Sequence, residues 1–299
     1  MTMQNNHVSG SPLVLGCMRI SGMEKKALEE LIMTALDNGV TTFDHADIYG
    51  GGRSEELFGE IISEHPALRE KMVLQSKCGI RTGYYDFSKE HIMTSVENIL
   101  TRLHTDYLDT LILHRPDILM EPEEVAEAFT LLKQQGKVKY FGVSNMNAMQ
   151  IELLQRYVKD KLIVNQLQLS PAHALIIDEG IHVNMPGTDS CGSVLEYCRL
   201  NDIGIQSWSS LQYGFFAGSF IGSDLYPELN RKLEEIADKY GITPAAAAIA
   251  WILRIPGTMQ AVVGTTKPQR LIDLSKAVNV KLERKEWYEI YLSAGHTLP

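Results

Sequence analysis

The sequence predicts an α/β fold, a single (β/α)8 TIM barrel domain spanning residues 1–299. Three observations carry that expectation. The chain has 299 residues, and a barrel of eight strand–helix units takes about 250. Short β-branched runs alternate with longer stretches of helical period along its whole length. Several short runs are apolar on both faces, as Leu111-Ile112-Leu113 is, which suits a parallel strand covered on both sides.

The strands are expected at residues 12–16, 41–44, 72–76, 108–113, 138–143, 162–166, 203–208 and 261–264. The helices between them have recognisable ends. Ser21-Gly-Met-Glu24 reads as a capping box, and Asn38-Gly39 as the stop of the helix it opens. A helix beginning near Pro122 ends at Gly136. Asn147 with Gln150 resembles an N-cap device before residues 151–158. Thr243-Pro244 and Thr266-Lys267-Pro268 place proline in a first helical turn. An open doubly wound sheet would give a similar string, but it would carry Gly-x-Gly-x-x-Gly after its first strand. Gly50-Gly51-Gly52 runs into Arg53-Ser54-Glu55 and follows the second strand, and Gly10 to Gly16 fails as well.

The net charge of −9 argues against nucleic acid and anionic membrane surfaces as partners, since both demand clustered Lys and Arg. A phosphate-bearing ligand would have to meet a local basic site. Cys17, Cys78, Cys191 and Cys198 show no paired spacing and read as buried thiols in a reducing compartment. The polar N-terminus lacks the apolar core of an export signal, and the longest apolar stretch, 245–253, is too short to span a bilayer. A cytoplasmic protein is expected. His45, His114 and the nearby acids lack ligand spacing, so no metal is expected.

In a barrel the C-terminal strand ends carry the chemistry. Here the second ends in Asp44-His-Ala-Asp47-Ile-Tyr49, the third in Ser76-Lys77-Cys78 and the fourth in His114-Arg115-Pro116-Asp117. Each residue alone has an ordinary structural reading, as a solvated lysine or a satisfied core histidine. An Asp, a Tyr, a Lys and a His converging on one mouth suit proton donation. A nearby ammonium favours the phenolate and so makes a phenol a better acid. Asp44 would keep Lys77 charged, and His114 could orient a substrate oxygen.

At these positions the chain resembles the aldo-keto reductase family. The resemblance rests on Gly39-Val-Thr-Thr-Phe-Asp-His-Ala-Asp-Ile-Tyr49, Val73-Leu-Gln-Ser-Lys77, Leu111-Ile-Leu-His114-Arg-Pro, Gly142-Val-Ser-Asn145 and Val262-Val-Gly-Thr-Thr-Lys-Pro-Gln-Arg270. Lys77-Cys-Gly-Ile and His114-Arg-Pro-Asp are similar to a bacterial subgroup of general oxidoreductases, YdhF-like. The resemblance implies reduction of an aldehyde or ketone to the alcohol, with Tyr49, Asp44, Lys77 and His114 as the catalytic set and Tyr49 as proton donor. It implies NADP(H) as preferred cofactor, with NAD(H) not excluded. Ser144, Asn145 and Gln166 match positions that hold the nicotinamide carboxamide, and Trp208 matches the aromatic stacked on its ring. The glycine- and aromatic-rich segment 209–222, with Ser209 and Leu211, matches a belt over the pyrophosphate; packing on the barrel rim is its structural alternative. Gly264, Thr265, Thr266, Lys267 and Arg270 match the 2′-phosphate end, where Gly264 stands in place of the usual Lys and Lys267 comes three residues later. Asp273 would approach the adenine. Family members are often monomers, and a monomer is expected.

Substrate choice is expected in Met18, Arg19, Tyr84, Tyr85, Phe87 and Arg115, with Arg115 salt-bridged to Asp117 or a neighbour. Two other functions fit parts of the sequence. Lys77 could form a Schiff base with a carbonyl compound, as in an aldolase, or the barrel could be a non-catalytic, cofactor-sensing subunit.

Overall fold

The computed structural model describes residues 10–183, 192–215 and 217–299. Eight parallel strands close into a barrel: β1 (Leu13–Gly16), β2 (Thr42–Asp44), β3 (Val73–Cys78), β4 (Leu108–Leu113), β5 (Val138–Ser144), β6 (Leu162–Gln168), β7 (Gly204–Trp208) and β8 (Met259–Val263). Each strand pairs with the next in chain order, and β8 returns to β1 through Leu13↔Ala261 and Val14↔Val262. Closure leaves the barrel sheet without a free edge. All eight expected strands are present, with no end shifted by more than two residues.

Period-two alternation decides which residues enter the barrel. On β3, Leu74, Ser76 and Cys78 share the face toward the helices, and Gln75 and Lys77 share the other. Phe43 on β2 meets Phe58 of helix α2 (Arg53–Glu64) at 5.3 Å between ring centroids. The main apolar core accordingly lies between strands and helices, and a small cluster of Ile112, Ile163 and Val164 is separate from it. Beside that cluster β5 needs Gly142, because a Cβ there would stand 2.4 Å from Val164 Cγ1 and 2.9 Å from the Val164 carbonyl oxygen.

Most helix ends follow the sequence. Helix α1 (Lys25–Asp37) stops at Asn38 with Gly39 at φ +74°. Asn147 and Gln150 form a complete capping box on a helix over Ala148–Gln155. Thr243 accepts from the Ala246 N–H ahead of a helix over Pro244–Leu253. The capping box expected at Ser21-Gly-Met-Glu24 is a correction. Residues Cys17–Gly22 wind into a 3-10 helix, Glu24 becomes the N-cap of α1, and it makes no side-chain cap. Ser21 instead packs under Gly50, so the tight turn takes up the segment and delays the helix.

Cys17, Cys78 and Cys198 are buried free thiols, and Cys191 and Phe216 lie outside the described residues. No helix among the described residues is long and apolar enough to cross a membrane.

Candidate active site

The strand ends bring Asp44, Tyr49, Lys77 and His114 together at one mouth of the barrel. Lys77 is fully buried, and Asp44 is 2% exposed. The three protons of the Lys77 ammonium go to Asp44 Oδ2 at 2.7 Å, the His45 carbonyl at 2.8 Å and Tyr49 Oη at 3.1 Å. Burial alone would lower the lysine pKa, but Asp44 and Tyr49 raise it above its ordinary value, so the ammonium persists. Burial pushes the Tyr49 phenol up, and Lys77 pulls it partly back. The net direction is upward, whereas Lys77 alone would have lowered it. Tyr49 is therefore a neutral phenol at physiological pH.

His114 follows β4, with its ring centroid 6.1 Å from that of Tyr49 and the two planes nearly perpendicular. Burial first, then repulsion from Lys77 and Arg115, holds its pKa well below the ordinary value. A neutral imidazole carries one N–H donor and one acceptor. Its Nδ1 is buried without a hydrogen-bond partner among the described residues.

Beneath Asp44 lies a network that the sequence reading missed. Asp44 Oδ1 accepts from Gln75 Nε2 at 2.5 Å and Gln166 Nε2 at 3.0 Å. Both amides also donate to Gln206 Oε1, at 2.8 and 3.0 Å. Gln206 Nε2 donates to Gln75 Oε1 and to Gln260 Oε1, each at 2.9 Å. The four glutamines are almost fully buried, and each bonds at least one of the others, with Asp44 and the Ser11 carbonyl taking further amide protons. The signal was available: Gln75 stands two residues before Lys77 and so on the same strand face, and Gln206 stands two before Trp208.

Behind the mouth, Ser76 and Arg102 hold Glu55 at 2.6 and 2.7 Å. Asp47 lies close by. Burial and then the Glu55 carboxylate push its pKa up to about 7, against the pull of Arg102. Burial and Lys77 drive His45 down to about 3.

A cleft of about 720 Å³ opens over this mouth. Its wall includes Asp44, Tyr49 and His114, and on one side Ser144, Asn145, Gln166 and Trp208. Asn145 is held by Trp208 Nε1, which donates to Asn145 Oδ1 at 3.0 Å, and by Asn145 Nδ2, which donates to Ser144 Oγ at 2.7 Å. Asn145 and Ser209 have φ of +58° and +52°, a left-handed backbone unusual for side-chain-bearing residues and concentrated at functional sites. Residues 209–215 and 217–222 are joined through a Gln212↔Ser219 bridge, with Phe220 anchored in the core. Ser209, Leu211 and Phe215 from this segment line the cleft, so it both packs on the rim and faces the opening.

Farther along, Gly264, Thr265 and Arg270 line the cleft, and Thr266 and Lys267 do not. Lys267 is the N-cap of the helix over Pro268–Ser275, with its backbone N–H bonded to Thr265 Oγ1 at 3.1 Å. Gly264 leaves open space, since a Cβ there would meet nothing closer than the Gly16 carbonyl at 4.0 Å. Asp273 bonds Gln269 Nε2 at 3.2 Å and lies 3.5 Å from Lys276 Nζ.

On the other side, Met18, Arg19, Tyr85 and Arg115 face the opening. Phe87 does not, being buried against Gly79. The expected Arg115–Asp117 salt bridge is absent. Asp117 instead accepts from the backbone N–H of Phe87 at 3.0 Å and of Leu119 at 2.9 Å. Arg115 lies across Trp208 and Phe215, 5.2 and 5.4 Å from the ring centroids.

Comparison with known proteins agrees with this architecture. Residues 12–291 match the family described as Aldo/keto reductase family. The chain is 37% identical to the uncharacterized oxidoreductase YcsN of Bacillus subtilis, over 91% of this chain and 90% of that one. It is 35% identical to oxidoreductase YdhF of Escherichia coli, over 97% and 95% of the two chains. An aldo/keto reductase from Klebsiella pneumoniae, crystallised with NADP and acetate, superposes with a TM-score of 0.74 at 25% identity, covering 94% of this chain and 90% of that one. The chain belongs to the aldo/keto reductase family and is an NAD(P)-dependent oxidoreductase.

Proposed function

We propose that the protein reduces an aldehyde or ketone to the alcohol with NADPH, and that Tyr49 supplies the proton. One observation carries the reading: a neutral phenol within 3.1 Å of a buried ammonium whose other protons are fixed by Asp44 and the His45 carbonyl. NADPH, when bound, would supply hydride to the carbonyl carbon. As charge develops on the carbonyl oxygen, Tyr49 Oη gives it a proton. Lys77 stabilises the phenolate left behind, and Asp44 keeps Lys77 charged in a dry site. The neutral His114 imidazole donates a hydrogen bond to the same oxygen and fixes its direction. Solvent returns the proton to Tyr49 after product leaves.

Asn145, Ser144 and Gln166 would hold the carboxamide, with Trp208 against the ring. The open backbone at Gly264 and the guanidinium of Arg270, which has no ion-pair partner among the described residues, suit a phosphate-bearing end. The Klebsiella pneumoniae structure, crystallised with NADP, supports the same preference.

The Schiff-base alternative fits poorly. All three Lys77 protons are engaged, and its nitrogen has no exposed surface. The test is oxidation of NADPH by a panel of aldehydes with wild type and Tyr49→Phe. Loss of about 10²-fold or more in kcat is expected, and equal turnover by the two proteins would overturn the mechanism.

A further inference from the structure

We infer that Arg115 is a specificity-determining residue that binds the carboxylate of an anionic aldehyde or ketone. The inference rests on the reading of the cleft as a carbonyl-reducing site and adds the substrate's charge to it.

Arg115 follows His114 directly and lines the same cleft as Tyr49. Its guanidinium is half-buried between the cleft and the rings of Trp208 and Phe215. Among the described residues it has neither a carboxylate within 4.0 Å nor a hydrogen bond. Its nearest acidic neighbour in sequence, Asp117, is committed to backbone N–H groups.

This is an unusual placement in a chain of net charge −9. Acidic side chains are plentiful, yet none among the described residues covers this cation. Aromatic faces replace only part of the hydration that a guanidinium loses on burial. Burial lowers the Arg115 pKa, while Tyr85 and Tyr49 raise it less. The planar fork of five N–H donors therefore keeps its capacity for a bidentate partner at the cleft wall. A carboxylate matches that fork. Arg19, exposed on the same cleft and also without an ion-pair partner among the described residues, adds positive potential at the entrance.

The experiment compares two acid–ester pairs: succinic semialdehyde with its methyl ester, and 4-carboxybenzaldehyde with methyl 4-formylbenzoate. Each pair keeps the aldehyde and changes the charge. Wild type is expected to favour at least one acid by about tenfold or more in kcat/KM, the range for a hydrogen bond to a charged group. In Arg115→Gln that ratio should collapse through KM for the acid. Arg115→Lys, which keeps the charge and loses the fork, should fall between.

A wild type without preference, or an Arg115→Gln enzyme with an unchanged acid-to-ester ratio, would overturn the assignment. Ester turnover would still uphold the reductase reading. If no aldehyde were reduced, that reading would fail, and succinate titrated against tryptophan fluorescence would decide the site. A saturable change in wild type that Arg115→Gln abolishes upholds it, because Trp208 lies against the guanidinium; no change overturns it.

Discussion

Lys77 Nζ stands 2.7 Å from Asp44 Oδ2 with both side chains closed to solvent. Such a pair is costly to break from one side, since the remaining charge stays buried and unpaired. Lys77→Met should lower stability by about 3–5 kcal/mol and abolish most carbonyl reduction. Urea denaturation and NADPH oxidation read the two effects separately. A variant as stable as wild type would mean that Asp44 finds another partner.

The glutamine network makes a separate prediction. Gln206→Leu removes the acceptor shared by Gln75 and Gln166 and leaves the carbonyl of Gln260 without its donor. Each buried group so orphaned costs about 1–3 kcal/mol. The denaturation midpoint should fall at constant m-value, and kcat should fall with it as Asp44 loses its fixed direction. A full-strength kcat in the destabilised variant would show that the network supports the barrel but not the site.

Asp47 should make stability depend on pH. Its folded pKa of about 7 lies above the ordinary carboxylate value. A carboxyl raised on folding contributes stability that is complete below its unfolded pKa and is lost as pH rises through the folded one. Wild type should therefore lose stability between about pH 4 and pH 7 relative to Asp47→Asn. The melting-temperature gap between the two proteins should widen over that interval, and a gap that ignores pH would remove Asp47 as its cause.

The proposed phosphate end of the cleft separates two cations. Arg270 lines the cleft and Lys267 does not. Arg270→Ala should weaken NADPH binding about tenfold or more, with a small effect on NADH. Lys267→Ala should change either cofactor little. Equal losses for both cofactors in Arg270→Ala would exclude the 2′-phosphate as its partner.

Gly142→Ala tests packing next to the site. The added methyl would run into Val164 at both its side chain and its carbonyl. Overpacking of this kind costs about 1–3 kcal/mol. Thermal unfolding should show the loss, and an unchanged midpoint would mean that β6 yields without strain.

The sequence by itself determined the barrel and the identity of the residues at its mouth. Strand period, capped helices and apolar runs are local patterns, written in neighbouring residues, and a closed parallel barrel turns every strand end toward one face. The strand-end positions of Asp44, Lys77 and His114 thus place them at one mouth on sequence grounds alone. Local pattern misled at Ser21–Glu24, where packing under Gly50 displaced the helix start. It also misled at Arg115, where the backbone around Asp117 took the carboxylate that adjacency seemed to offer.

Only the tertiary structure decided who partners whom across distant strands. Gln75 and Gln206 are 131 residues apart, and no local period links them. Burial decided the Tyr49 phenol as well: Lys77 pulls its pKa down as expected, but desolvation at the barrel mouth pushes it up by more. Desolvation and long-range pairing depend on the closed barrel as a whole. The residues at the mouth were legible in the chain, and their charge states and partners were not.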